Sequence, residues 1–183
     1  MILFVNNSFS FLTVVAQILV ALAVISLFFK RKENRLTGFF QKYGLVLAFA
    51  AAFLATVGSL IYSEIIGYEP CKLCWFQRIF MYPQVVILGL ALFASEKKEL
   101  IKSAIILSII GAFIAFSHYI LQTTGISIFP CTAVGYSASC SQRFVMNFGY
   151  ITIPMMALSA FLLIVLGAVM FKKKQNDNRP ISM

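Results

Sequence analysis

The chain has 183 residues, of which 61% are hydrophobic and only 11% charged, and its formal net charge is +9. Soluble domains carry about 25% charged residues, so this composition argues against a soluble domain. The apolar residues come in blocks of roughly 20, the length that crosses a bilayer as a helix. The sequence therefore predicts an integral membrane protein of the all-α class.

Five apolar segments follow one another along the chain. Backbone groups in hydrocarbon must be satisfied within their own segment, so each segment is predicted to be a transmembrane helix. The first lacks a preceding basic region and a small-residue cleavage site, and we interpret it as a retained helix, not a signal peptide. The segments cover residues 9–29, 43–66, 73–94, 103–122 and 148–171.

The basic residues between these segments predict the topology. All lysines and arginines except Lys72, Arg78 and Arg143 lie in residues 30–42, 97–102 and 172–179. Basic residues collect on the cytoplasmic side. We therefore expect a multi-pass protein of the cell membrane with its N-terminus outside and its C-terminus in the cytoplasm. The positive charge reflects this topology and gives no reason to expect nucleic acid as a partner.

All four cysteines fall on the predicted outer side. Cys71 and Cys74 precede the third segment's apolar run, while Cys131 and Cys140 lie in the longest outer loop. Outer compartments permit disulfides, so the four cysteines indicate two dithiol pairs. Two such pairs at one membrane surface can exchange through a mixed disulfide.

The two pairs differ in their surroundings. Pro70 favours a helix start, which would place Cys71 and Cys74 in the first turn, where free N–H groups favour a thiolate. The loop around Cys131 and Cys140 is rich in small and turn-forming residues, and we expect it to be accessible. A static disulfide, or half of a zinc site in the case of Cys71 and Cys74, is the alternative. A zinc site would need a second closely spaced pair.

Arg78 and His118 are candidates for holding an electron acceptor. Continuous disulfide formation needs such an acceptor, and the chain has no flavin, nucleotide or haem motif, which leaves a membrane quinone. Arg78 lies about 6 Å beyond Cys74 along a helix, where it would favour a Cys74 thiolate and bind a quinone oxygen. His118, the only histidine, is predicted at a similar depth. The alternatives are an arginine that extends to the headgroups and a histidine that merely satisfies its neighbours.

The stretch PCKLCWFQRIFMYP is followed by SHY, by the second cysteine pair and by FGYITIPMMAL. In this order the motifs resemble the DsbB-type disulfide bond formation proteins, and most closely the short BdbC-like branch. The resemblance spans residues 43–171. It implies a four-helix transmembrane bundle at 43–171, preceded by an additional N-terminal helix and basic loop at 1–42 and followed by a basic tail at 172–183.

The resemblance also implies an activity. Proteins of this type are oxidoreductases that oxidise a thioredoxin-like partner outside the membrane and pass the electrons to ubiquinone or menaquinone. Carried over by motif, Cys131 and Cys140 would face the partner, and Cys71 and Cys74 would face the quinone. Arg78 and His118 would belong to the quinone site, and no metal is implied. Gln77 stands where some members carry an acid.

Two other classes of function compete with this interpretation. A transporter with thiol ligands would need polar residues through several helix centres, and the chain has almost none away from the outer ends. A passive membrane subunit would carry two disulfides that do not respond to the supply of quinone.

Overall fold

The computed structural model describes residues 2–28, 35–126, 131 and 139–177. Five helices are long and apolar enough to cross a membrane, which confirms the predicted all-α membrane fold. Beyond its last α-helical residue, α2 continues as a π-helical turn, Ile61–Ile65. The helices are α1 Ile2–Phe28, α2 Arg35–Leu60, α3 Lys72–Phe93, α4 Lys98–Thr124 and α5 Ile153–Asp177.

Three helices begin several residues before the predicted apolar segments. α1 begins at Ile2, α2 at Arg35 and α4 at Lys98, each several residues before the corresponding segment. A helix satisfies its own backbone groups, so it need not end where its apolar residues end. Hydropathy thus located the membrane-spanning part of these helices and not their full length.

Close packing between helices depends on small residues. At the crossing of α2 and α5, a Cβ atom added to Gly44 would collide with the backbone carbonyl of Gly167. Between α4 and α5, the ring of Phe161 lies directly against Gly111. Lipid tails are as apolar as the helices themselves, so association relies on such close approach.

One polar pair lies in the centre of the bundle between α3 and α4. Ser108 Oγ donates a hydrogen bond to Gln84 Oε1 at 2.8 Å, and Gln84 Nε2 donates to the carbonyl of Phe80 at 2.9 Å. Both polar side chains are fully buried. The pair therefore joins two helices, and each polar atom of the two side chains takes part in a hydrogen bond.

α1 packs alongside α5 and runs parallel to it. Gln17 Nε2 donates to Ser159 Oγ at 3.2 Å, and further along both helices Ser26 Oγ lies 3.9 Å from Met170 Sδ. α1 therefore starts at the same end of the bundle as α5. α2 to α5 form the predicted four-helix bundle, and α1 is the additional helix beside it.

The alternation of helices separates the cysteines from most of the basic residues. Cys71, Cys74, Cys131 and Cys140 lie at the end where α3 begins and α4 ends. Arg35, Lys97 and Lys172 lie at the opposite end.

Candidate active site

The first dithiol forms the start of α3. Cys71 is the N-cap residue, with φ −73° and ψ 170°, and its sulfur accepts a hydrogen bond from the backbone N–H of Cys74 at 3.3 Å. The two sulfurs lie 2.9 Å apart as free thiols. The sequence predicted both cysteines in the first turn, whereas the structure places Cys71 just before it as the cap.

Cys71 is the acidic thiol of the pair. A hydrogen bond from the Cys74 side chain, with a smaller contribution from His118, lowers the pKa of the Cys71 thiol to about 4, although burial opposes this shift. The geometry therefore favours a thiolate at Cys71 beside a thiol at Cys74. The sequence instead predicts a thiolate at Cys74, because that residue is nearer to Arg78.

His118 connects the two dithiols. It is 1% exposed, and its Nε2 lies 3.0 Å from the carbonyl oxygen of Cys140 and 3.7 Å from the sulfur of Cys71. A carbonyl only accepts, so we assign the proton to Nε2. Nδ1 then accepts from the amide of Gln77 at 2.9 Å. The single imidazole N–H thus faces one member of each cysteine pair.

The second pair is a disulfide, Cys131–Cys140, that folds back onto the first. Cys140 is 1% exposed and packs in one cluster with Cys71 and Leu121, while Cys131 is half-buried at the edge of this cluster. The expectation that both loop cysteines are accessible is therefore wrong for Cys140. Its carbonyl is bound by His118, and this contact holds the residue against the bundle.

Arg78 connects α3 to α2. Its Nε donates to Ser59 Oγ at 2.9 Å and its Nη2 to the carbonyl of Ser59 at 3.1 Å. Its guanidinium also lies 5.2 Å from the ring centre of Trp75. The single ion pair among the described residues joins Lys102 and Glu99, so no described carboxylate neutralises Arg78. The side chain is held between two helices, where its charge remains available.

A cavity of about 280 Å³ lies beside Arg78 and reaches the first dithiol. Cys74, Arg78 and Tyr82 line its polar end. Most of the remaining wall is apolar. It includes Ala50, Ala51 and Ala55 of α2, Met81 of α3, and Ala157 and Ala160 of α5.

His118 is not among the residues that line this cavity. It lies with Cys71, Cys74 and Gln122 in a smaller recess of about 10 Å³. The sequence predicted Arg78 and His118 as two parts of one site. The structure places Arg78 on the cavity and His118 among the sulfurs.

Two residues of this arrangement escaped the sequence analysis as functional candidates. Ser59 lies in an apolar run without a motif, and only the packing of α2 against α3 brings it to Arg78. Gln77 was noted for the acid it replaces, not as a partner of His118. A polar residue in an apolar helix, one turn from a cysteine, was the available signal for Gln77.

Comparison with known proteins places this site in a family. Residues 41–171 match the family model described as "Disulfide bond formation protein DsbB". The chain belongs to the DsbB family. As a member it is a membrane protein of disulfide bond formation with an oxidoreductase role. No solved structure matches the chain at a significant level.

Curated relatives within the DsbB family carry related names. "Disulfide bond formation protein C" of Bacillus subtilis is 42% identical over 135 residues, which are 73% of this chain and 95% of that protein. "SPbeta prophage-derived disulfide bond formation protein B" of the same organism is 40% identical over 145 residues, 78% of this chain and 96% of that protein. "Probable disulfide formation protein" of Metapseudomonas resinovorans is 38% identical over 132 residues, 71% of this chain and 90% of that protein. α1 lies outside the part of the chain that the DsbB family model matches.

Proposed function

We propose that this protein is a quinone-dependent thiol oxidase of the cell membrane. It reoxidises a thioredoxin-like dithiol protein outside the membrane and passes the electrons to ubiquinone or menaquinone. The observation that carries the proposal is the meeting of the two cysteine pairs at His118, with the cavity of Arg78 adjoining Cys74 on the other side.

The loop disulfide is the entry point for electrons. A thiolate of the partner attacks Cys131, the more exposed sulfur of the pair, and Cys140 leaves as a thiolate. The partner's second thiol then displaces Cys131, so the partner leaves with a disulfide and the loop pair is reduced. Two electrons and one proton have moved to the loop, which now holds a thiolate at Cys140 and a thiol at Cys131.

The second step transfers the disulfide between the pairs of this chain. With Cys71 and Cys74 oxidised, the thiolate of Cys140 attacks Cys71, its neighbour in the buried cluster, and Cys74 leaves as a thiolate that takes up the proton of Cys131. The Nε2–H of His118 faces both residues and stabilises negative charge on the sulfur that carries it. Cys131 completes the exchange, which leaves Cys71 and Cys74 as a thiolate and a thiol.

The cavity has the chemical character that a quinone requires. Arg78 and the hydroxyl of Tyr82 provide hydrogen-bond donors at one end, and the apolar wall suits a ring and its tail. The Cys71 thiolate and the Cys74 thiol would give two electrons and one proton to a quinone held there, with the second proton coming from water, and the Cys71–Cys74 disulfide would be restored. A hydrogen bond from His118 to a quinone oxygen stays a prediction, because His118 lies on the sulfur side of the pair.

The proposed orientation follows from the charges at the two ends. Arg35, Lys97 and Lys172 lie opposite the cysteines, and such residues collect in the cytoplasm. The cysteine end then faces the compartment in which disulfides persist.

Oxidation of a reduced thioredoxin-like protein by the purified chain tests the proposal. With quinone in excess we expect many turnovers, and without quinone no more than two partner disulfides per chain, one from each cysteine pair. Cys131→Ser should abolish oxidation of the partner but leave quinone able to reoxidise the Cys71–Cys74 pair. Ser141→Ala, an exposed change in the same loop, is the control.

Two outcomes would contradict this proposal. Full turnover of Cys131→Ser would rule out the relay through the loop pair. A rate that does not depend on added quinone would favour a passive disulfide protein or a different acceptor.

A further inference from the structure

Hydrogen bonds to the bundle fix the rotation of α1 about its own axis. Near its start, Asn147 Nδ2 donates to Ser10 Oγ at 2.9 Å. Further along, Gln17 accepts from the hydroxyl of Tyr150 at 2.9 Å and donates to Ser159. Polar groups without partners are costly in hydrocarbon. These bonds therefore specify which face of α1 meets the bundle.

The face that they select lines the cavity. Phe9, Thr13, Ala16 and Leu19 all belong to the cavity wall and follow one another at helical spacing, on one side of α1. Phe9 packs 5.7 Å from the ring of Tyr62. Without these residues the cavity would have no wall on that side.

The α1 wall extends from the polar end of the cavity towards its apolar end. The ring of Phe9 lies against Gly58, where an added Cβ atom would come within 2.7 Å of it, and Gly58 precedes Ser59, the partner of Arg78. Ala16 lies about 10 Å further along α1 at 1.5 Å per residue. Small residues of α2 and α5 line the same cavity as Ala16, namely Ala50, Ala51, Ala157 and Ala160.

We infer that α1 completes the quinone cavity of this protein and selects the tail of the quinone. Phe9 packs beside the head group at the end where Arg78 lies, and Ala16 and Leu19 contact the isoprenoid tail. This inference rests on the proposed function. It concerns a helix that lies outside residues 41–171, which match the family model.

The test places a bulky side chain in the part of the cavity that would hold the quinone tail, in the full-length protein. Ala16→Phe is compared with Ile18→Phe, which adds an aromatic ring at a position that is 55% exposed and does not line the cavity. Each variant is titrated with an isoprenoid-tailed quinone and with the same ring lacking the tail. Binding is followed by quenching of Trp75, the only tryptophan in the chain, and turnover by reoxidation of the reduced dithiol.

We expect Ala16→Phe to weaken binding of the tailed quinone by about tenfold or more, the equivalent of about 1.4 kcal/mol. Binding of the tail-less ring should change by less than about twofold, and Ile18→Phe should resemble the wild type with both ligands. If Ala16→Phe lowers the affinity for both quinones equally, or does not lower the affinity for the tailed quinone, the inference is overturned. If the wild-type protein shows no quinone-dependent reoxidation, the proposed function fails first and the inference with it.

A second measurement needs no variant. A quinone with a photoreactive group on its tail should label peptides from residues 9–19 of the wild-type protein, and excess unmodified tailed quinone should prevent the labelling. Labelling confined to α2, α3 and α5 would overturn the inference even if Ala16→Phe failed to fold.

Discussion

Gln77 complements the tautomer of His118 that the carbonyl of Cys140 requires. Its amide N–H donates to Nδ1, so the ring proton stays on Nε2, between the Cys140 carbonyl and Cys71. A carboxylate at position 77 could only accept, and Nδ1 would then have to carry a proton. The amide in this chain thus satisfies Nδ1, while the N–H on Nε2 points at the Cys140 carbonyl and the Cys71 sulfur.

The acidity of Cys71 predicts an unusual pH profile for the reduced protein. Thiolates are the reactive form, and the pKa of Cys71 is lowered to about 4. Alkylation of Cys71 by iodoacetamide should therefore stay fast from neutral pH down to about pH 5 and fall below about pH 4. An ordinary thiol would lose about tenfold in rate for each pH unit below its pKa.

His118→Ala should move this profile to higher pH, because it removes an N–H near the Cys71 sulfur. Thr123→Ala, an exposed change on the same helix, should leave the profile in place. A wild-type midpoint near pH 8 or 9 would show that the cap does not stabilise the thiolate. Peptide mass spectrometry distinguishes Cys71 from Cys74.

Arg78 should contribute to the affinity for quinone through its charge. A hydrogen bond to a charged group is worth about 1.5–3 kcal/mol, or roughly ten- to a hundredfold at 1.36 kcal/mol per decade. Arg78→Met should weaken quinone binding by this factor. Arg78→Lys should restore only part of it, because lysine lacks the planar fork that binds Ser59.

Lys72→Met is the matched control for Arg78, since it removes an exposed cation from the same helix. Quinone titrations of dithiol reoxidation measure both variants. Equal affinities for Arg78→Met and the wild type would mean that the arginine only ties α3 to α2.

At the scale of helices, the backbone crossing of α2 and α5 limits what the sequence can tolerate. Gly44 and Gly167 leave no space for a side chain on either helix, and the obstacle is a backbone carbonyl that cannot rotate away. The two helices must therefore separate if either glycine is enlarged. The walls of the cavity belong partly to the same two helices, so the crossing also fixes their spacing.

Gly44→Ala should destabilise the protein by about 1–3 kcal/mol, as overpacking of a filled core does. Gly38→Ala, on the same helix but with no atom within 4 Å of the added Cβ, should be neutral or slightly stabilising because alanine favours helix. Thermal unfolding in detergent compares the two variants. Equal melting temperatures would show that α2 and α5 do not meet as closely as the structure indicates.

For the molecule as a whole, the cysteine end is expected to face outward. In intact cells treated with a permeant reductant, a membrane-impermeant maleimide should label Cys131, the half-buried member of the loop pair. Glu96→Cys, in the exposed loop between α3 and α4, should be labelled only after the membrane is opened. The reverse pattern would invert the proposed topology.

The sequence predicted the number of helices and their alternation, because a bilayer demands apolar blocks of fixed length. It also predicted the cysteine pairs and Arg78, because the chemistry at the helix start is local. The docking of α1 depends on Gln17 and Asn147, two single polar residues far apart in the chain, and no periodicity marks them. The burial of Cys140 likewise depends on the contact of its carbonyl with His118, 22 residues away in the chain, which leaves no local pattern.

The cap at Cys71 gives α3 an influence on the reduction potential of its own dithiol. In the reduced state the sulfur that accepts from the N–H of Cys74 carries a negative charge, and this charge also meets the positive end of the helix dipole. Oxidation to the disulfide removes the charge and with it much of this favourable interaction. Stabilising the reduced form in this way makes a disulfide more oxidising. In the proposed relay, the start of a transmembrane helix would thereby help the Cys71–Cys74 disulfide to draw electrons from the loop pair.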